Sequence, residues 1–188
     1  FVMLRRRRIL DPRVVALVDH FSESTSPEAA LDVCRKALAL GEISPGLDRD
    51  LLTAGALLHD IGKIGVQDNI LNKPGRLTDD EFDHIKAHPL VGANIVAPLG
   101  LDSEEMGIIR HHHERWDGRG YPDRLEKEEI PRLARILAVA DAFDAMNSNR
   151  AYRKALPFSV CIEELEKNRG SQFDPDVVES ALIALKDA

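Results

Sequence analysis

Aromatic side chains make up only 5% of this 188-residue chain. No apolar run approaches the roughly 18 to 20 residues of a membrane-spanning helix, so the sequence predicts a soluble protein. Long period-two alternation, which half-buried strands need, is missing, and so are internal repeats and low-complexity tracts. With only 10 Pro and 12 Gly, the chain is neither collagen-like nor a linker. Cysteine is limited to Cys34 and Cys161, far apart and both in apolar helical stretches. They read as small core residues of a reducing compartment, the cytoplasm, and not as a disulfide framework. Basic charge is in deficit: 25 Lys and Arg against 32 Asp and Glu leave a net charge of -7. Such a surface repels bulk nucleic acid, so an anionic ligand has to be met by a local basic cluster.

What is present is a 44% hydrophobic composition rich in Ala and Leu, enough for one helical core. Residues 1–25 read as an arm or linker helix from an upstream domain, with Arg5 to Arg8 as a solvated helix start or a contact to a partner. A compact domain is expected over 26–188. Ser26-Pro27 opens a helix that stops at Gly41, and a second runs from about Asp48 or Asp50 to His59. Thr78 and Glu81 form a capping-box pair, as do Asp102 and Glu105, whose helix leads to His111, His112 and His113. Residues 115–131 read as a loop around Gly118, Gly120 and Pro122. Helices follow from Pro131 to Met146, from Pro157 to Asn168, and from Pro175, capped by Asp174, to Lys186. The fold class is all-α.

Six of the seven histidines lie between His59 and His113. His59-Asp60 ends an otherwise apolar helix. Taken alone, such a pair is usually a helix end with a hydrogen bond. His88, the His112-His113 pair and Asp141, set in the apolar run Ile136 to Ala140, weaken that reading, because unpaired carboxylates are costly to bury. Mixed imidazole and carboxylate donors without nearby thiolates suit iron, manganese, nickel, cobalt or zinc in an open site rather than a structural zinc knot. Six candidate donors exceed the needs of one ion, and two ions are the natural count. His84 reads as a surface histidine, His111 as a neighbour of the His112-His113 pair, Arg119 and Arg124 as solvated loop charges, Arg115 and Asp117 as a pair within the loop. Trp116 could either pack the loop or stack on a base.

The ordered string His59-Asp60-Ile61-Gly62-Lys63, Asn69 to Gly75, and His112-His113-Glu114-Arg115-Trp116-Asp117-Gly118-Arg119-Gly120-Tyr121-Pro122 resembles the HD-GYP family. The likeness continues through Asp141 to Met146, Arg150 to Arg153 and Gln172 to Pro175. These are bacterial phosphodiesterases of cyclic di-GMP within the HD superfamily. The resemblance implies a compact helical bundle with a metal site between helices and a Gly-Tyr-Pro loop at its entrance. It makes His59, Asp60, His88, His112, His113 and Asp141 ligands of two or three divalent ions, iron or manganese first, with Asp60 bridging. It assigns Asp60 and Lys63 to catalysis, and Lys63, Arg150, Arg153 and Tyr121 to the substrate. By its own spacing, one helical turn after Asp141, Asp144 reads either as a partner behind a ligand histidine or as a solvated carboxylate, and Glu114 is a second candidate behind the ligands. Partners implied are cyclic di-GMP, a GGDEF-type or other signalling protein at the loop, and a second copy of the chain.

Family members carry a further histidine on the helix before the His-Asp pair. Residues 26–40, aligned there, contain none, and His20, Glu23, Glu28 and Asp32 are the nearby substitutes. Two functions stay open: hydrolysis of cyclic di-GMP to linear pGpG and on to GMP, or a degenerate module that binds without turnover. A nucleotide phosphohydrolase of the wider superfamily would share His59, Asp60 and Asp141 but not the loop.

Overall fold

The computed structural model describes residues 49–99, 101, 103–149 and 154–186. The boundary expected at 25/26, the helix expected over 26–40 with Cys34, and Asp102, Arg150 and Arg153 lie outside the described residues.

Eight α-helices and no strands occur among the described residues, as the absence of alternation predicts. They are α1 (Arg49–Leu58), α2 (Asp68–Leu71), α3 (Asp79–Lys86), α4 (His88–Val96), α5 (Ser103–His111), α6 (Arg132–Asn147), α7 (Phe158–Lys167) and α8 (Pro175–Lys186). Thr78 caps α3 as its spacing to Glu81 predicts, with Glu81 N–H donating to Thr78 Oγ1 at 3.2 Å and Thr78 N–H to Glu81 Oε2 at 2.7 Å. Lys73 anchors that carboxylate from the preceding turn at 2.6 Å. Two features escape pattern reading. A 3₁₀ turn over Ile61–Gly65 continues from α1, and another over Lys127–Glu129 breaks the long loop. Both are too short to carry a periodic signal.

The main core joins Leu52 and Ala56 of α1, Ile108 of α5, the inner face of α6, and Cys161, Leu165, Val178 and Ala181 from α7 and α8. Cys161 is fully buried, as expected for a small apolar residue. A second cluster, Leu58, Ile61, Val96 and Ile109, packs α4 and the 3₁₀ turn against α5. The candidate histidines lie along the seam between these two clusters.

The C-terminal part of the family-like string does structural work. Asp174 is buried; its Oδ1 accepts the Asp176 N–H at 2.9 Å, capping α8, and its Oδ2 accepts Arg135 Nη1 at 2.5 Å. Arg135 in turn lies over the Trp116 ring at 5.7 Å, so Trp116 is bound up in loop packing. Trp116 and Asp117 N–H groups donate to the carbonyls of Gln172 and Ser171. Asp174→Ala removes a cap and strands a largely buried guanidinium. Urea unfolding is expected to show a loss of about 3 kcal/mol, with metal uptake unchanged.

Candidate metal centre

Helix ends deliver the histidines. His59 follows α1, His88 opens α4 immediately after α3, and His112 and His113 follow α5. The last carbonyls of a helix lack intrahelical partners, and three of these side chains use them. His59 Nδ1 lies 2.8 Å from Ala56 O, His88 Nδ1 2.7 Å from Ile85 O, and His112 Nδ1 2.8 Å from Ile109 O, each three residues back. A carbonyl can only accept, so each Nδ1 carries a proton and, when the ring is neutral, each Nε2 presents a lone pair inward. The Nδ1 atoms of these three rings are therefore held by main-chain carbonyls.

Ligand-type atoms of Asp60, His88, His112 and His113 lie within 4.8 Å of one another. His88 Nε2 faces His112 Nε2 at 3.2 Å, and Asp60 Oδ1 is 3.3 Å from His88 Nε2. With both Nδ1 atoms protonated against carbonyls, these imidazole nitrogens have no proton to share. Asp60 Oδ1 is likewise enclosed with no hydrogen-bond partner. Converging lone pairs around a carboxylate oxygen are what a cation satisfies, so the residues fit a metal ion.

Asp60 has a second side. Its Oδ2 is 3.4 Å from His59 Nε2, and His59 Nε2 is in turn 3.9 Å from Asp141 Oδ1. One carboxylate thus faces His88 with Oδ1 and His59, itself beside Asp141, with Oδ2, while His112 and His113 gather with His88 around the same carboxylate. His59 falls outside the tighter four-residue group but joins it through Asp60. Asp60 and Asp141 are each 25% exposed, so they line an opening and are not sealed in the core as the apolar sequence around Asp141 suggested.

Burial opposes a charge on His59, but the Asp60 and Asp141 carboxylates outweigh it and lift its pKa to about 9, so without an ion the ring is a cation at neutral pH and has to give up its Nε2 proton to become a ligand. Enclosure works to raise the Asp60 pKa, yet His59 and Lys63 hold it well below the usual carboxylate range. Burial first, then neighbouring imidazoles, push His112 well down and His113 to about 3, leaving both as neutral ligands.

Lys63 is brought to the centre by the 3₁₀ turn, where its Nζ sits 2.5 Å from Asp60 Oδ2. Tyr121 stacks near His113, ring centroids 5.0 Å apart. Burial and the charges of Asp60 and Asp141 raise its pKa, so the hydroxyl stays protonated. Asp144 is buried and accepts from Ser148 Oγ at 3.2 Å. Glu114, also buried, accepts the Asp123 N–H at 2.7 Å; burial is the main reason its pKa is raised. His84, Arg119 and Arg124 are exposed, and Arg115 grips Asp117 at 2.8 Å, all as expected. His111 is more than a bystander, because its Nε2 meets Asp123 at 2.8 Å.

Known proteins share this framework. The family model described as HD domain matches residues 13–177. A cyclic di-GMP phosphodiesterase of Thermotoga maritima is 46% identical over 134 residues, covering 70% of this chain and 36% of that protein. A 3'3'-cGAMP-specific phosphodiesterase of Vibrio cholerae is 36% identical over 167 residues, covering 85% of this chain and 32% of that protein. Among solved structures, the HDG"Y"P protein Bd1817 of Bdellovibrio bacteriovorus superposes with a TM-score of 0.69 at 24% identity, over 85% of this chain and 52% of that one, a likeness of fold. The chain spans about a third of the length of these two sequence relatives. With its His-Asp pair, its clustered histidines and its Gly-Tyr-Pro loop, the chain belongs to the HD domain family, in the HD-GYP branch.

Proposed function

We propose that this chain is a metal-dependent phosphodiesterase that opens cyclic di-GMP to pGpG and carries it on to GMP. The observation that carries the reading is the two-sided Asp60, gathered with His88, His112 and His113, its Oδ1 towards His88 and its Oδ2 towards His59, which lies beside Asp141. In this reading Asp60, His88, His112 and His113 would hold one ion, and Asp60 with His59 and Asp141 a second. Iron or manganese suits this oxygen and imidazole set best, with nickel, cobalt or zinc as substitutes. Bound ions would supply a water acidified towards neutral pH and charge compensation at the phosphoryl oxygens.

The protein's own groups address the rest of the problem. A phosphodiester repels nucleophiles and has a poor alkoxide leaving group. Lys63, 2.5 Å from Asp60, lies within reach of a phosphate that approaches the opening, and its ammonium would offset developing charge there. Tyr121, kept protonated, can donate a hydrogen bond to a part of the cyclic dinucleotide away from the bond that is cleaved. Arg150 and Arg153 are assigned to substrate phosphate by family likeness. The local cations would offset the repulsion expected from a chain of net charge -7. A cytoplasmic setting, a GGDEF-type partner at the loop and self-association complete the reading.

Metal analysis and a turnover assay on the manganese- or iron-loaded chain test this. The expected result is two ions per chain and conversion of cyclic di-GMP to pGpG, abolished by a chelator and restored by metal. The absence of a histidine from residues 26–40 favours one competing reading, a module that binds without turnover. Stoichiometric binding of cyclic di-GMP by the metal-loaded chain with no product would establish that alternative.

A further inference from the structure

The Gly-Tyr-Pro loop is fastened to the end of α5 at one residue. Arg110 donates to both oxygens of Asp123, Nε to Oδ2 at 2.6 Å and Nη2 to Oδ1 at 2.8 Å. His111 Nε2 meets Oδ2 at 2.8 Å, and the Asp123 N–H donates to Glu114 Oε1 at 2.7 Å. Arg110, His111 and Glu114 flank His112 and His113, and Asp123 follows Tyr121 by two residues. On the other side of Tyr121, a Cβ placed on Gly120 would lie 2.4 Å from Arg115 N and 2.5 Å from Glu114 Cα, so the loop is seated directly on that backbone. Tyr121 N–H donates to His113 O at 3.3 Å. An isolated exposed ion pair contributes little, but a bidentate fork joined by a second side chain and a backbone bond forms a network that fixes geometry. The Arg110 fork, the chief cause, holds the Asp123 carboxyl down at about 2, so it is ionised at neutral pH.

We propose that Asp123 is a positioning residue that fastens the Gly-Tyr-Pro loop to the histidine-bearing end of α5 and so sets the placement of Tyr121 against a bound cyclic dinucleotide. This rests on the phosphodiesterase reading for its substrate, but the latch itself does not depend on it. Cutting the latch should loosen the hold on a large substrate. It should leave the ions, and the hydrolysis of a small diester that does not span the loop, unaffected.

The test compares Asp123→Ala and Asp123→Asn with the parent chain. The chain has two tyrosines, Tyr121 and Tyr152, so 3-fluorotyrosine labelling gives two fluorine resonances, assigned with Tyr152→Phe. Asp123→Ala is expected to move the Tyr121 resonance towards that of a solvated tyrosine and to raise KM for cyclic di-GMP about tenfold with a smaller change in kcat. Metal content and bis(p-nitrophenyl) phosphate turnover should stay within about twofold of the parent. Asp123→Asn, which keeps the shape and one acceptor oxygen for Arg110, should fall between Asp123→Ala and the parent. An unmoved Tyr121 resonance with unchanged KM overturns the proposal. So does a parallel loss of metal and small-diester turnover, which would make Asp123 a support of the histidines. If the parent chain shows no turnover of cyclic di-GMP, the phosphodiesterase reading fails by itself, and the fluorine shift still decides the latch.

Discussion

Asp60→Ala is expected to lower turnover of cyclic di-GMP by at least a thousandfold and to leave the purified chain with less than one ion. The reasoning starts from the two-sided contact. Removing the carboxylate takes a donor from His88 and its neighbours on one side and from His59 and Asp141 on the other. It therefore disables both halves, whereas loss of Asp141 leaves the His88, His112 and His113 group in place. Charge stabilisation by bound metal is worth several kcal/mol at the transition state, and each 1.36 kcal/mol is a factor of ten, which gives about three decades. The same change frees Lys63 from its partner and relieves His59 of the main influence raising its pKa. Asp60→Asn would keep the shape but lose the charge, and should reproduce most of the deficit. Turnover within tenfold of the parent, with two ions retained, would remove Asp60 from the centre.

Gly62→Ala is expected to be the most damaging substitution outside the ligands. A Cβ built there would lie 1.9 Å from His88 O and 2.5 Å from Gly92 N. Both are backbone atoms of α4, so no side chain can rotate away, and the 3₁₀ turn has to separate from the helix. Gly62 is therefore glycine because two backbones meet at it. The expected loss is about 3 kcal/mol or more, lowering Tm by roughly 6 to 12 °C for a chain of this size. Since the displaced atom belongs to His88, metal affinity should fall with stability. Gly75→Ala is the control: a Cβ there meets nothing within 4 Å, and Tm should hardly move. A melting point for Gly62→Ala equal to that of Gly75→Ala would refute the close-contact account.

These two residues also mark how far sequence alone reached. Most helices were legible because apolar periodicity, Thr78 and Asp174 announce their faces and ends, and the bounds of α1, α6, α7 and α8 fall within a residue or two of the expected ones, whereas α2 and α4 carried no expected bounds. The convergence of Asp60, His88, His112 and His113 was foreshadowed because histidine and aspartate are conspicuous in apolar company. The internal division of the group was not, since which oxygen of Asp60 faces which imidazole depends on the angle between α1, α4 and α5. The bond from His111 to Asp123 was missed because adjacent helical residues normally diverge. Here His111 is the last residue of α5, and the loop returns to meet it. The partial exposure of Asp141 was missed for a related reason. Sequence shows its apolar neighbours on α6, but not the opening that its own face lines.

The main chain, not a side chain, aims His59, His88 and His112. No point mutation can delete a peptide oxygen, so scanning Ala56, Ile85 and Ile109 should reveal packing defects but no loss of aim. Drift in those three side chains is thereby uncoupled from the chemistry. The vulnerability moves to whatever frays the final turn of a helix, where an inserted or deleted residue would swing an imidazole away by about 100°.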